Sequence, residues 1–177
     1  MENNRSNENR MMTGMFRDRQ SAESAYNALH ERGYTQNEVN LMMSDETRKR
    51  HFENSDHDTE LGNKALEGAG TGSAIGGTAG AIIGAIAAIG TAVALPGLGL
   101  VIAGPIAAGL AGAGAGGLTG GIVGALVGSG IPEDRAKEYE SGVKDGGIVM
   151  GVSPRTQEDA DYLENHWKKN NGEYIHR

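Results

Sequence analysis

The residues of this chain best suited to metal chemistry are crowded between positions 51 and 58. His51, Glu53, Asp56, His57 and Asp58 supply imidazole and carboxylate donors close enough to share a divalent ion. Their spacing fits no recognised ligand motif, and a solvated, mixed-charge stretch accounts for them. No metal or cofactor is therefore expected. The run GTGSAIGG at 70–77 has the glycine density of a phosphate loop but lacks the Gly-Lys-Ser/Thr ending. It also lacks a dinucleotide fingerprint's acidic residue about twenty positions on. No Gly-x-Ser-x-Gly nucleophile elbow occurs. Glu133, Asp134, Glu138 and Glu140 suit the start of a helix, where acidic side chains complement the dipole. No catalytic residue is assigned, and the expectation is a protein that is not an enzyme.

The wider composition points the same way. The chain has 177 residues, no cysteine and a net charge of -7. Disulfides and thiolate metal sites are excluded. The acidic balance disfavours nucleic acid and electrostatic docking on anionic lipid. The opening MENNRSNENRMM has no apolar core of a secretory signal, so a cytoplasmic location is expected.

Glycine is the anomaly, with 29 residues against 5% aromatics. From Gly68 to Pro132 there is no Asp, Glu, Lys, Arg or His. Within that block Gly68, Gly72, Gly76, Gly80 and Gly84 recur every fourth residue, and so do Gly112, Gly116, Gly120, Gly124 and Gly128. Positions four apart share one helix face, so each series would make a bare stripe against which another backbone can pack. The spacing predicts helices over 66–94 and 105–128, joined by a turn at Pro96, Gly97, Gly99 and Pro105. Ten glycines in helix interiors cost roughly 10 kcal/mol relative to alanine. Lipid, sister chains or self-packing must offset that cost. A helix needs about 20 apolar residues to cross a bilayer, and both segments are long enough.

The flanks carry the charge and a different pattern. Residues 11–16 (MMTGMF) read as a strand. A helix capped by Asp18 or Ser21 follows, with Ala22, Ala25, Tyr26 and Leu29 on one face and Gly33 ending it. Residues 38–43 read as a second strand, and 44–60 as a solvated linker or the polar start of a helix. Beyond the block, Pro132 opens a helix to about Lys144. Residues 147–152 (GIVMGV) form the most strand-like segment. Ser153 and Pro154 cap a helix carrying Ala160, Leu163, His166 and Trp167, and residues 173–176 make a last strand.

These readings divide the chain into a disordered tail at 1–10, a first half-domain with charged linker at 11–60, a glycine-zipper helical hairpin at 61–131, and a second half-domain at 132–177. Setting the hairpin and the helix after it aside leaves βαββαβ. That is the order of an α+β, ferredoxin-like antiparallel sheet with helices on one face.

The segments TGMFRDRQSAESAYNALHERGYTQNEVNLMMSD and IPEDRAKEYESGVKDGGIVMGV, with the glycine block between them, resemble the general stress protein 17M / YflT-like family in its longer, glycine-rich bacterial members. The resemblance covers roughly residue 12 to the end. It implies a bacterial, stress-associated protein and carries over no catalytic residues. Three functions follow. The hairpin drives membrane association and homo-oligomerisation at the inner face of the cytoplasmic membrane. Alternatively, hairpins pack into a large self-assembled particle or filament without lipid. In the third, the α+β domain senses a small ligand.

Overall fold

A computed structural model describes residues 11–53, 93–95, 99–107, 121–128 and 131–177. Within them the chain is α+β, built around a six-stranded antiparallel sheet. The strands are β1 (Met12–Phe16), β2 (Val39–Ser44), β3 (Val93–Leu95), β4 (Leu100–Ala103), β5 (Ile148–Val152) and β6 (Glu173–His176). Their spatial order is β3-β4-β2-β5-β1-β6.

Period-two alternation in the inner strands supplies two cores. Met12 and Phe16, then Val39, Leu41 and Met43, then Ile148, Met150 and Val152 all point to the first face. There they meet helices α1 (Arg19–Glu31) and α5 (Gln157–Lys169). Trp167 is fully buried in this core, edge-on to Phe16 at 5.6 Å, and its Nε1 donates to the Ala25 carbonyl. Gly14 lets the indole lie against β1: a Cβ there would sit 2.9 Å from Trp167 Cε3.

The intervening residues Met15, Met42, Ile102 and Val149 point to the second face. There α3 (Gly121–Gly128) contributes Ile122 and Leu126, and α4 (Glu133–Lys144) contributes Ala136, Tyr139 and Val143. The two helices of the expected βαββαβ order, α1 and α5, thus share one face, while α4, set aside from that order, covers the other together with α3. All five residues of β1 and of β5 are buried, and strands apolar on both sides require cover on both.

The caps follow local chemistry. Asp18 caps α1, its carboxylate accepting from Ser21 N at 2.8 Å. Gly33 follows α1 at φ 79. Thr156, rather than Ser153-Pro154, caps α5 by accepting from Asp159 N. Its hydroxyl stands three residues before the amide it satisfies. Pro132 sits at the N-cap of α4, one position before the first turn. Ser44 caps a short α2 (Asp45–Arg48), and the helical backbone runs on through Lys49–Glu53, so the start of 44–60 is helical.

The expected first zipper helix, 66–94, is corrected at its end. Residues 93–95 are strand, paired with β4, which in turn pairs with β2. The cause lies in the sequence after the turn. Val101 and Ala103 face the first core and Leu100 and Ile102 the second, an alternation that suits a strand, and the edge of β2 offers it unpaired backbone groups.

Candidate functional site

The uncharged block does not hang from the domain as a separate appendage. It returns to the sheet twice, as β3-β4 with the turn that follows, and again as α3. At the first return, Gly104 adopts φ 96 and lies so close to β2 that a Cβ would come within 2.2 Å of the Val39 carbonyl oxygen. Pro105 then opens a helical turn at 105–107, and Ile106 N donates to Asn40 Oδ1 at 2.8 Å. Asn40 is 8% exposed and lies on a central strand. Its amide fits because its partner across the ladder is Gly151. The far turn is tied as well, Asp45 N donating to the Gly99 carbonyl at 2.7 Å.

At the second return, α3 sets Ile122 and Leu126 into the core at 4% and 2% exposure, while Val127 stands 43% exposed. Gly124 is half-buried and Gly128 exposed, with nothing within 4 Å of where a Gly128 Cβ would be. The described end of the second glycine series therefore runs beside the buried ridge and meets open space at Gly128. Gly68, Gly72, Gly76, Gly80, Gly84, Gly112, Gly116 and Gly120 lie outside the described residues, as do the turn residues Pro96 and Gly97. Gly99 is in the β3-β4 turn at φ 61, and Pro105 is exposed. Among the described residues, no helix is long and apolar enough to cross a membrane.

Two polar clusters bind the half-domains that the block separates in sequence. At one end of the sheet, the Tyr34 hydroxyl accepts from Arg155 N at 2.8 Å and donates to Asp159 Oδ2 at 3.1 Å. Arg155 reaches Glu38 through both carboxylate oxygens, at 2.8 and 2.9 Å, and the Gly33 carbonyl at 3.0 Å. Arg32 Nε donates to Asp159 Oδ1 at 2.7 Å. The Glu38 carboxyl is held down to about 2, first by the Thr35 backbone N–H and then by Arg155 and the Thr35 hydroxyl. Burial, the largest influence, raises the Tyr34 hydroxyl.

On the second face, Tyr139 Oη lies 2.6 Å from Thr13 Oγ1 and 2.9 Å from the Tyr174 carbonyl. The carbonyl can only accept, so Tyr139 donates to it and accepts from the Thr13 hydroxyl. Burial pushes Tyr139 up to about 12. Tyr174 itself adopts a left-handed conformation at φ 49, uncommon for a bulky residue.

In each cluster the hydrogen bonds are made among its own members. His51 gives its carbonyl to Arg19 Nη1, Glu53 ends the helical stretch, and Asp56, His57 and Asp58 lie outside the described residues. No group of three or more potential ligands gathers among the described residues. Asn40 was missed by sequence reasoning. The signal was a lone amide in a strand otherwise apolar from Val39 to Met43, opposite a glycine. Comparison with family models, curated proteins and solved structures finds no match to this chain.

Proposed function

We propose that this protein is a non-enzymatic self-association module, in which copies join through the apolar, glycine-striped surface of the uncharged block while the α+β domain holds the ends of that block. The observation that carries this reading is the outer side of α3. Val127 and Gly128 are exposed at the end of a four-residue glycine series, on a helix whose opposite side, Ile122 and Leu126, is spent on the domain's own core. A helix apolar on both sides calls for a second apolar neighbour.

The domain part of the reading is ferredoxin-like. Its support is the order β2-β5-β1-β6 with antiparallel neighbours, the arrangement a βαββαβ chain adopts, here with β3-β4 added beyond β2. A bacterial, stress-associated role rests on the family resemblance of the flanks.

Self-association is favoured over a bilayer-crossing second helix at 105–128 by chain length. Since β4, the 105–107 turn and α3 pack on the sheet, only residues 108–120 are left between the two returns. At 1.5 Å per residue they reach about 20 Å as a helix, short of the roughly 30 Å hydrocarbon core. Association with a membrane surface is the second reading, favoured by the exposed apolar Val127 and the absence of charge from Gly68 to Pro132.

Size-exclusion chromatography with light scattering, on detergent-free full-length protein, tests the proposal. A defined oligomer is expected, and a strict monomer across the micromolar range contradicts it. Flotation with phosphatidylcholine vesicles separates the readings: protein that stays oligomeric in the unfloated fraction supports self-association, and protein that floats supports the membrane surface.

A further inference from the structure

We propose that Asn40 anchors a detachable cover, formed by the turn at 104–107 and by α3, which opens from the second face of the sheet as one unit while β4 stays paired with β2 and the first core stays closed. The two cores differ in what they need. The first is built mainly from the flanking half-domains, with Val101 and Ala103 the contributions from the uncharged block. The second draws Leu100, Ile102, Ala107, Ile122, Leu126 and Ile131 from that block. The cover is thus continuous with the segment proposed to self-associate, whereas the face beneath it belongs to the domain.

Three observations converge on the Asn40 corner. The amide is a buried polar group on an interior strand, and its oxygen holds the Ile106 N–H, where the chain leaves the sheet. Gly104, two residues earlier, is pressed against β2 in a conformation that L side chains rarely adopt. The two returns also meet there. Ile106 from the first and Leu126 and Ile131 from the second line one cleft of about 20 Å³ over Asn40 and Gly151. A cleft that size leaves part of its apolar lining without close contact at this corner. Regions that open below the global unfolding limit have this character.

The inference rests on the self-association reading only for what opening accomplishes. It presents Met42 and Val149 together with the apolar side of the cover, coupling release from the sheet to availability for partners.

Native-state amide exchange by mass spectrometry, on the full-length chain, reads the opening directly. In the wild type, residues 104–107 and 121–128 are expected to exchange at one common rate, faster than 157–169. In Asn40→Leu, similar in size but without the acceptor, both stretches accelerate together by about tenfold, and 160–167 does not change. Gly104→Ala, driven against the Val39 carbonyl, gives the same pattern by an independent route and reports even where Asn40→Leu fails to fold. Two stretches exchanging at unrelated rates in the wild type, or an acceleration spread equally over 160–167, overturns the cover. Light scattering on the same samples separates the two claims. Cooperative opening in a chain that stays monomeric keeps the cover and removes self-association.

Discussion

The Arg155 guanidinium lies 4.4 Å over the ring of Tyr34, while its own backbone N–H donates to that tyrosine's hydroxyl. One residue thus grips the ring by its face and by its oxygen, across 121 positions of sequence. The contact closes the sheet at the end opposite to β2's exit toward the uncharged block. It explains how two half-domains interrupted by a long insertion remain one folding unit.

Removing that hydroxyl leaves Arg155 N and Asp159 each short of a partner. Tyr34→Phe is expected to cost about 1–2 kcal/mol, read as a lower urea midpoint with an unchanged slope. Secondary structure by far-ultraviolet circular dichroism should stay the same.

Acid should weaken the same clamp. Glu38 titrates at about 2 when folded, against 4.5 for the free group. A depressed folded value contributes stability above the unfolded value and loses it as pH falls toward the folded one. The stability gap between wild type and Glu38→Gln is therefore largest above pH 5 and closes between pH 4.5 and about 2. Glu38 is substantially exposed, so salt should narrow the gap as well. Thermal melts across that range, at low and high salt, measure both effects.

Alkali should act on buried tyrosines. Tyr26 and Tyr139 are both pushed up to about 12 by burial. A raised folded value is a stabilising contribution fully present below pH 10 and lost as pH rises toward 12. Ultraviolet phenolate titration should show these two ionising late, together with unfolding. Tyr139→Phe should lower stability at neutral pH by about 1–3 kcal/mol, since Thr13 and the Tyr174 carbonyl lose their buried partner.

Gly14→Ala tests how closely Trp167 packs on β1. A methyl 2.9 Å from the indole forces ring or strand to shift, an overpacking cost of about 1–3 kcal/mol. Near-ultraviolet circular dichroism from the single tryptophan should change while the fold persists.

The flanks were legible because their elements are short and locally coded. Asp18 before an apolar 3–4 repeat, Gly33 after it, and the β-branched run at Ile148 and Val149 give the sheet strands and α1 with small boundary errors. The uncharged block was harder to read. Where almost every residue is Gly, Ala, Val, Ile or Leu, there is no polar side to tell period two from period 3.6. Residues 93–95 and 100–103 could then be taken for the ends of a helical hairpin and its turn. What decides them is the open edge of β2, a tertiary partner invisible to local pattern. The second helical face was hidden for a related reason. Met15, Met42 and Val149 lie on that face under α3 and α4, and a strand's own pattern does not name the helix that covers it. Asn40 stood in the sequence as an ordinary polar position, and its role appears only with Ile106 beside it.

The central claim is that copies meet along the outer side of α3 and the glycine series that leads into it. Val127→Glu puts a charge on that side, at a position 43% exposed and so without demand on the domain's core. Light scattering of wild type and variant, at equal concentration and without detergent, measures it most directly. The account predicts a discrete oligomer for the wild type and a smaller species for Val127→Glu, with unchanged melting of the domain. Identical masses for the two proteins would contradict it.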